Sequence, residues 1–249
     1  MISWSGNGVI VQIAKKLEKY STVDIFTEHH GLIRSICNTG VRAVGLSRVV
    51  VEWKGRNDGD MGFWHIQDLR HNFVTNTVES ESQSFIGQRI CFLLSRVLPY
   101  GVSYPELFTY VANMSEILFK SPYLIALNLY AYFEFLLLKS AGFGFDVKVC
   151  SVCGHPAKIE YISSNTGGGI GPKCRLTTKE RIIQVPKAWY YWEEFDLRTV
   201  PREMIRSSLS VSSYFMKKYL LTDSKPTTSS VTRESHPVQV TNLIRCCLR

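Results

Sequence analysis

The sequence predicts an α+β chain of several units: an N-terminal OB-fold β-barrel, then an all-α region interrupted by a zinc-ribbon-like cysteine hairpin. Three observations carry this. Side chains alternate with a period of two up to about residue 75, a helical period replaces it after about residue 80, and a Cys-x-x-Cys-Gly knuckle stands at residues 150–154. With 249 residues, 45% of them apolar, the chain is long and apolar enough to bury a core, which excludes a disordered tail.

The strands come first. Val9, Val11 and Ile13 alternate with Ile10, Gln12 and Ala14, and Val49, Val51 and Trp53 alternate with Val50, Glu52 and Lys54, as in half-buried strands. Residues 21–26 and 32–37 form two more strands around a turn at 27–31, and residues 62–67 supply a fifth. Five short strands in this length suggest a small closed barrel, because closure removes exposed edges. An OB-fold is the economical choice, and an SH3-like barrel satisfies the same pattern. The expected boundaries are a barrel over 1–78, a helical region over 79–149, the cysteine hairpin over 150–185, a closing helix over 186–222 and a tail over 223–249.

The helices follow. Phe85, Ile86, Ile90, Leu93, Leu94 and Val97 share one helical face, and Leu107, Val111, Met114 and Leu118 recur at spacings of four, three and four. Pro105 and Pro122 stand where first-turn prolines are tolerated, with Ser103 and Ser121 as nearby cap candidates, and Pro201 opens a last helix reaching about Leu221. The apolar run at 123–138 is short for a membrane span and contains Asn128 and Glu134, so it reads as a buried helix. Without a secretory pattern at the start, the expectation is a cytoplasmic chain with no membrane partner.

Seven cysteines, two of them in a knuckle, favour metal chemistry in a reducing compartment over a disulfide framework. Cys150 and Cys153 are followed by Cys174, and the position where a second knuckle would place its other cysteine holds Gly171. Zinc held by Cys150, Cys153 and Cys174 would take its fourth ligand from elsewhere in the chain or from solvent. His155 follows the knuckle too tightly to reach the same ion without strain. A hairpin whose cysteines only pack is the competing reading. A strand and a turn follow the knuckle where a redox Cys-x-x-Cys needs a helix. The glycine run at 167–169 breaks the spacing of a phosphate loop. No nucleophile elbow and no His-Glu-x-x-His are present, so nothing commits the chain to catalysis.

Charge points to a polyanion. The net charge is +8, and most of the excess falls after residue 149, where residues 150–222 carry eleven basic side chains against six acidic ones. A second basic group, from Lys15 to Arg56, lies within the expected barrel.

The order of these parts resembles a family of bacterial recombination mediators, the RecO proteins. The resemblance rests on Gly8-Val9-Ile10-Val11, Phe26-Thr27-Glu28-His29-His30-Gly31, Asn38-Thr39-Gly40-Val41-Arg42, Phe133-Glu134-Phe135-Leu136-Leu137-Leu138 with Gly142, the knuckle itself, and Tyr214-Phe215-Met216. It departs at Gly171, at Leu136 where a basic residue is expected, and in a short segment between Arg42 and Arg48. The resemblance implies a non-enzymatic DNA repair role in RecF-type recombination. Such a protein binds single- and double-stranded DNA, anneals complementary strands, and works with RecR and the single-strand DNA-binding protein to load RecA near the nucleoid. The DNA contacts it implies are Lys15, Lys16, Arg34, Gly40 and Arg42 in the barrel, and Lys173 and Arg175 at the hairpin. Two other classes compete. One is a zinc-ribbon protein–protein interaction module without DNA binding, and the other a metal-dependent hydrolase, for which no general base stands near the cysteines.

Overall fold

A computed structural model of the chain describes residues 1–16, 19–38, 44–57, 61–70, 79–143, 145–194 and 200–221. Five strands, β1 (Ile2–Lys16), β2 (Tyr20–Thr27), β3 (Gly31–Asn38), β4 (Arg48–Gly55) and β5 (Phe63–Arg70), close into a barrel in the order β1-β2-β3-β5-β4. All pairs are antiparallel except the short parallel contact of β3 with β5, at Ile36 and Phe63. The long β1 serves two neighbours. Its first half pairs with β4 and its second with β2, and bulges between Ile10 and Gln12 and between Ala14 and Lys16 bend it from one to the other.

Ile10, Val23, Ile25, Cys37, Val49, Val51, Trp53 and Trp64 form the barrel's own core. Trp53 Nε1 donates to Ser35 Oγ (2.9 Å) and Trp64 Nε1 to the Val23 carbonyl (3.2 Å), so neither indole is buried without an acceptor. The expected alternation along β1 is incomplete, because Val9, Ile10 and Val11 are all buried. Ile10 faces the barrel interior, whereas Val9 and Val11, with Phe26 and Leu32, belong to a second core shared with the helices.

That second core is built by α1 (Glu79–Val97), α2 (Pro105–Ile117) and α3 (Tyr123–Ser140). Ile86, Ile90, Leu93 and Leu94 of α1, and Leu107, Val111 and Met114 of α2, are buried as their spacing predicts, while Phe85 is left exposed. Each such side chain contributes about 1.5–3 kcal/mol on burial. The helix α3 is buried on nearly every side from Ala126 to Leu138, which explains an apolar run without amphipathic period. Neither serine caps a helix. Ser103 Oγ donates to the Glu28 carbonyl (3.0 Å) and Ser121 Oγ to the Ile117 carbonyl (2.8 Å), while Tyr104 and Pro122 hold the N-cap positions.

After α3 the chain enters the hairpin, β6 (Tyr161–Ser163), β7 (Gly169–Ile170), α4 (Pro172–Arg175) and β8 (Ile182–Gln184), and then α5 (Lys187–Glu194) and α6 (Arg202–Phe215). A π-helical turn, Met216–Leu220, continues α6. An aromatic cluster pins the hairpin's base, with Phe145 at 4.6 Å from Trp189 and 5.1 Å from Phe215 between ring centroids. At the hairpin's tip, Tyr219 Oη and Lys218 Nζ both donate to the Ser164 carbonyl, at 3.1 and 3.4 Å. Among the described residues no helix is long and apolar enough to cross a membrane.

Barrel and helices join tightly at Gly31. Its φ is +68°, and a Cβ there would lie 1.9 Å from the Val102 carbonyl oxygen. Gly101 N–H donates to the Leu32 carbonyl beside it (3.0 Å). The Gly31→Ala variant is expected to lose about 2 kcal/mol of stability or more, since a left-handed alanine is strained even without a clash. Urea unfolding measures this, and a variant as stable as its parent would show that the seam yields.

Glu134 lies deep in the helical layer, where Tyr130 Oη donates to its Oε1 and its Oε2 has no hydrogen-bond partner among the described residues. Burial pushes its carboxyl from 4.5 up to about 7, outweighing Tyr130 and Arg89, which favour the anion. Between those values the folded chain keeps a proton that the unfolded chain has lost. The resulting stability is full below about pH 4.5 and is lost as pH rises through about 7, on the order of 3 kcal/mol at most. From about pH 5 to 8, the melting temperature of the parent is expected to fall relative to that of Glu134→Gln. Parallel calorimetric curves for the two would count against a titrating Glu134.

Candidate nucleic-acid interface and metal centre

The implied barrel contacts fall in different situations. Lys15 and Lys16 end β1, where Lys16 pairs with Ser21 across the ladder, but their side chains lie outside the described residues, as do Gly40 and Arg42 altogether. Arg34 is described fully. It sits opposite Asp24 in the β2–β3 register, and its Nε and Nη2 donate to the two carboxylate oxygens at 2.7 Å each. Asp24 is 1% exposed, whereas the Arg34 side chain is 42% exposed. Tyr100 Oη, from the segment after α1, also donates to Asp24 (3.1 Å). The hydrogen bonds to Asp24 raise the guanidinium pKa further above its ordinary value, so Arg34 stays charged but has an internal counter-ion. The cue was present in the sequence, since residues 24 and 34 are mirror positions about the turn at 27–31.

The barrel rim carries aromatic rings that charge alone does not reveal. Trp4 is half-buried and stacks on His30 with centroids 3.9 Å apart, and Trp53 lies behind it at 5.9 Å. Tyr20, exposed at the start of β2, meets Phe63 edge-on at 6.0 Å. Trp4, Tyr20 and Phe63, near the starts of β1, β2 and β5, are visible in the sequence, but their exposure depends on the closed barrel.

At the hairpin, α4 presents Lys173 and Arg175 to solvent. The Arg175 guanidinium lies 4.1 Å from the centroid of the Tyr161 ring, a cation–π contact that holds it against β6. Lys218, which the sequence groups with the basic residues, is committed to the hairpin tip, since it also donates to Asn165 Oδ1 (3.2 Å). Leu136, where a basic residue was expected, is buried at 4% exposure and packs in the helical core.

The three cysteines come together. The sulfurs of Cys150, Cys153 and Cys174 lie within 4.8 Å of one another, with Cys150 buried, Cys174 half-buried and Cys153 exposed. The knuckle folds because Gly154 N–H reaches the Cys150 carbonyl (2.8 Å) and Cys150 N–H the His155 carbonyl (3.0 Å). Gly171 N–H donates to Cys150 Sγ at 3.3 Å. Burial works to raise the Cys150 thiol, but hydrogen bonds from the Gly171, Cys153 and Val152 backbone and the Cys153 side chain bring it down to about 6. Cys174 is pushed up to about 11, first by its hydrogen bond with the Cys153 side chain. A site that readily holds one thiolate, with two more sulfurs beside it, fits a thiophilic dication such as zinc. Among the described residues no His, Asp or Glu joins the cluster, and His155 Nδ1 instead lies 2.9 Å from the Cys153 carbonyl. A Cβ on residue 171 would stand 3.5 Å from Cys150 Sγ, so that position faces the sulfurs and glycine leaves it without a donor.

The glycine run beside the cluster has a packing explanation. Gly167 takes a φ of +72° with Phe145 against it, and a Cβ at Gly169 would meet the Asp146 carbonyl at 2.5 Å.

Comparison with known proteins agrees with this arrangement. The family model described as "Recombination protein O C terminal" matches residues 82–222, from α1 through the hairpin to the end of α6. The chain is 21% identical over 225 residues to a protein of Beijerinckia indica named "DNA repair protein RecO", covering 88% of each. It is 23% identical to proteins of the same name from Wolbachia pipientis, covering 87% of this chain and 91% of that one, and from Cereibacter sphaeroides, covering 91% and 94%. A matched family model that spans more than half of the chain, with relatives aligned over barrel and helices alike, makes this chain a member of the RecO family of DNA repair proteins.

Proposed function

We propose that the chain binds single- and double-stranded DNA without marked sequence preference, anneals complementary strands, and acts with RecR and the single-strand DNA-binding protein to help load RecA. The observation that carries this reading is the closed five-stranded barrel, with aromatic rings at its rim, set in a chain of this family. Barrels of this kind bind single strands by pairing a basic groove with stacking platforms, each worth about 1–3 kcal/mol per base. His30, stacked on Trp4, and Tyr20 supply platforms. Lys15, Lys16 and Arg42 supply phosphate contacts, Gly40 lets the backbone approach, and Arg34, oriented by Asp24, offers its outward N–H groups. Lys173 and Arg175 add phosphate contacts at the hairpin. The role is one of binding rather than catalysis.

Zinc held by Cys150, Cys153 and Cys174 completes the reading. There it serves as a cross-link between the knuckle and α4, which keeps Lys173 and Arg175 in place.

Elemental analysis is expected to find about one zinc per chain, and Cys150→Ser or Cys174→Ser to lose it. Gly171→Cys, which adds a fourth sulfur facing the cluster, is expected to hold the ion against higher chelator concentrations than the parent. Zinc far below stoichiometry in freshly purified protein, with no gain on Gly171→Cys, would leave the cysteines as packing residues.

Fluorescence anisotropy with a labelled oligonucleotide is the test of DNA binding. Affinity should fall steeply with salt, log K against log salt having a slope of about −0.7 for each phosphate neutralised on a single strand. No binding at low salt, or binding indifferent to salt, would remove the reading.

A further inference from the structure

Outside the predicted contacts, the molecule carries a groove of about 810 Å³ between the cysteine hairpin and α5. Lys148, Lys158 and Lys187 line it from three separate segments, together with Tyr190 and Tyr191 of α5 and a single carboxylate, Glu160. Lys158 and Lys187 are exposed, and both tyrosines are half-buried where they line the groove. Tyr190 Oη donates to the Ile159 carbonyl, which fixes its ring against the hairpin.

The groove is not isolated. Gln184 in its wall pairs with Tyr161 across β6 and β8, and Tyr161 carries the Arg175 guanidinium on its ring. A basic track therefore runs from α4 across the small sheet into the groove. Residues 147–191 hold seven basic side chains against Glu160 and Glu180, and Glu180 is engaged by the Ser163 hydroxyl.

We infer that this groove is a second binding site for single-stranded nucleic acid, separate from the barrel. The inference rests on the DNA-binding reading above and adds where a further strand is held. Lysines from three segments around a trough match a phosphate backbone followed along its length, and adjacent tyrosines offer faces on which bases stack. An acidic peptide would satisfy the lysines but leave the tyrosine faces and the extension to Arg175 unused. A chain with one strand on the barrel and another in this groove can bring two strands together, which is what annealing requires.

The test uses the full chain, the variant Lys158→Glu/Lys187→Glu, a labelled oligothymidylate of about 20 nucleotides and a labelled oligoglutamate peptide, all read by anisotropy. Both substituted residues are exposed, so the variant should keep the parent's circular dichroism and melting temperature. It is expected to bind the oligothymidylate about fivefold more weakly at low salt, and to lose about 1–2 from the magnitude of the salt slope. Annealing of two complementary oligonucleotides should fall at least as much. Unchanged affinity, slope and annealing in a variant whose parent binds well would overturn the groove and leave the barrel reading intact. Loss of oligoglutamate binding alone would make it a protein-binding surface and overturn the inference. Failure of the parent itself to bind the oligothymidylate would overturn both readings.

Discussion

The barrel has an apolar outer wall, and the need to cover it organises the molecule. Val9, Val11, Phe26 and Leu32 point away from the barrel interior yet are almost wholly buried, because α1 and α2 lie over them. Phe26 meets Phe108 of α2 edge-on at 5.5 Å. Once α1 and α2 are committed to that wall, their other faces need a partner, and α3 supplies one by being apolar around its circumference. In turn, α3 is covered by α5 and α6, and the α5 tryptophans tie the three together. Trp192 Nε1 donates to Asn128 Oδ1 (3.0 Å), while Trp189 Nε1 donates to Ser208 Oγ of α6 (2.8 Å).

Periodicity exposed most of this. The five strands and the helical faces of Leu107, Val111, Met114 and Leu118 could be read because both sides of each pattern contrast in polarity. Where an element is buried on two sides, the contrast vanishes, and Val9-Ile10-Val11 illustrates the loss. The serine caps failed for another reason. Ser103 and Ser121 are good caps in isolation, but Ser103 is taken by a tertiary acceptor, the Glu28 carbonyl, and Ser121 by the Ile117 carbonyl one turn before it.

The candidate site was legible in its cysteines and less so in its charges. Spacing alone brings three sulfurs together, since a knuckle and a returning hairpin are local geometry. Charge counting cannot tell a cation meant for a ligand from one already spent. Arg48 pairs with Glu116, Lys54 lies 3.0 Å from Glu52, and Lys218 is tied to Ser164, whereas Asp24 orients Arg34 and leaves 42% of its side chain exposed. Among the described residues of the hairpin and α5, Lys158, Lys173 and Lys187 remain at the surface. The groove is hard to read in the sequence because its walls come from segments as far apart as Val147 and Tyr191, brought together by the small sheet.

The hairpin is suspended from two points. Its base is gripped by the aromatic rings around Phe145, and its tip by Tyr219 and Lys218 on the Ser164 carbonyl. A zinc ribbon attached at one end depends on its ion to keep its shape, and all of its ligands are then indispensable. Here the base and the tip of the span are both anchored without the sulfurs, so a glycine at 171 does not leave the span hanging from its ion alone. With both ends fixed in this way, an ion between the cysteines has only the knuckle and α4 left to hold together.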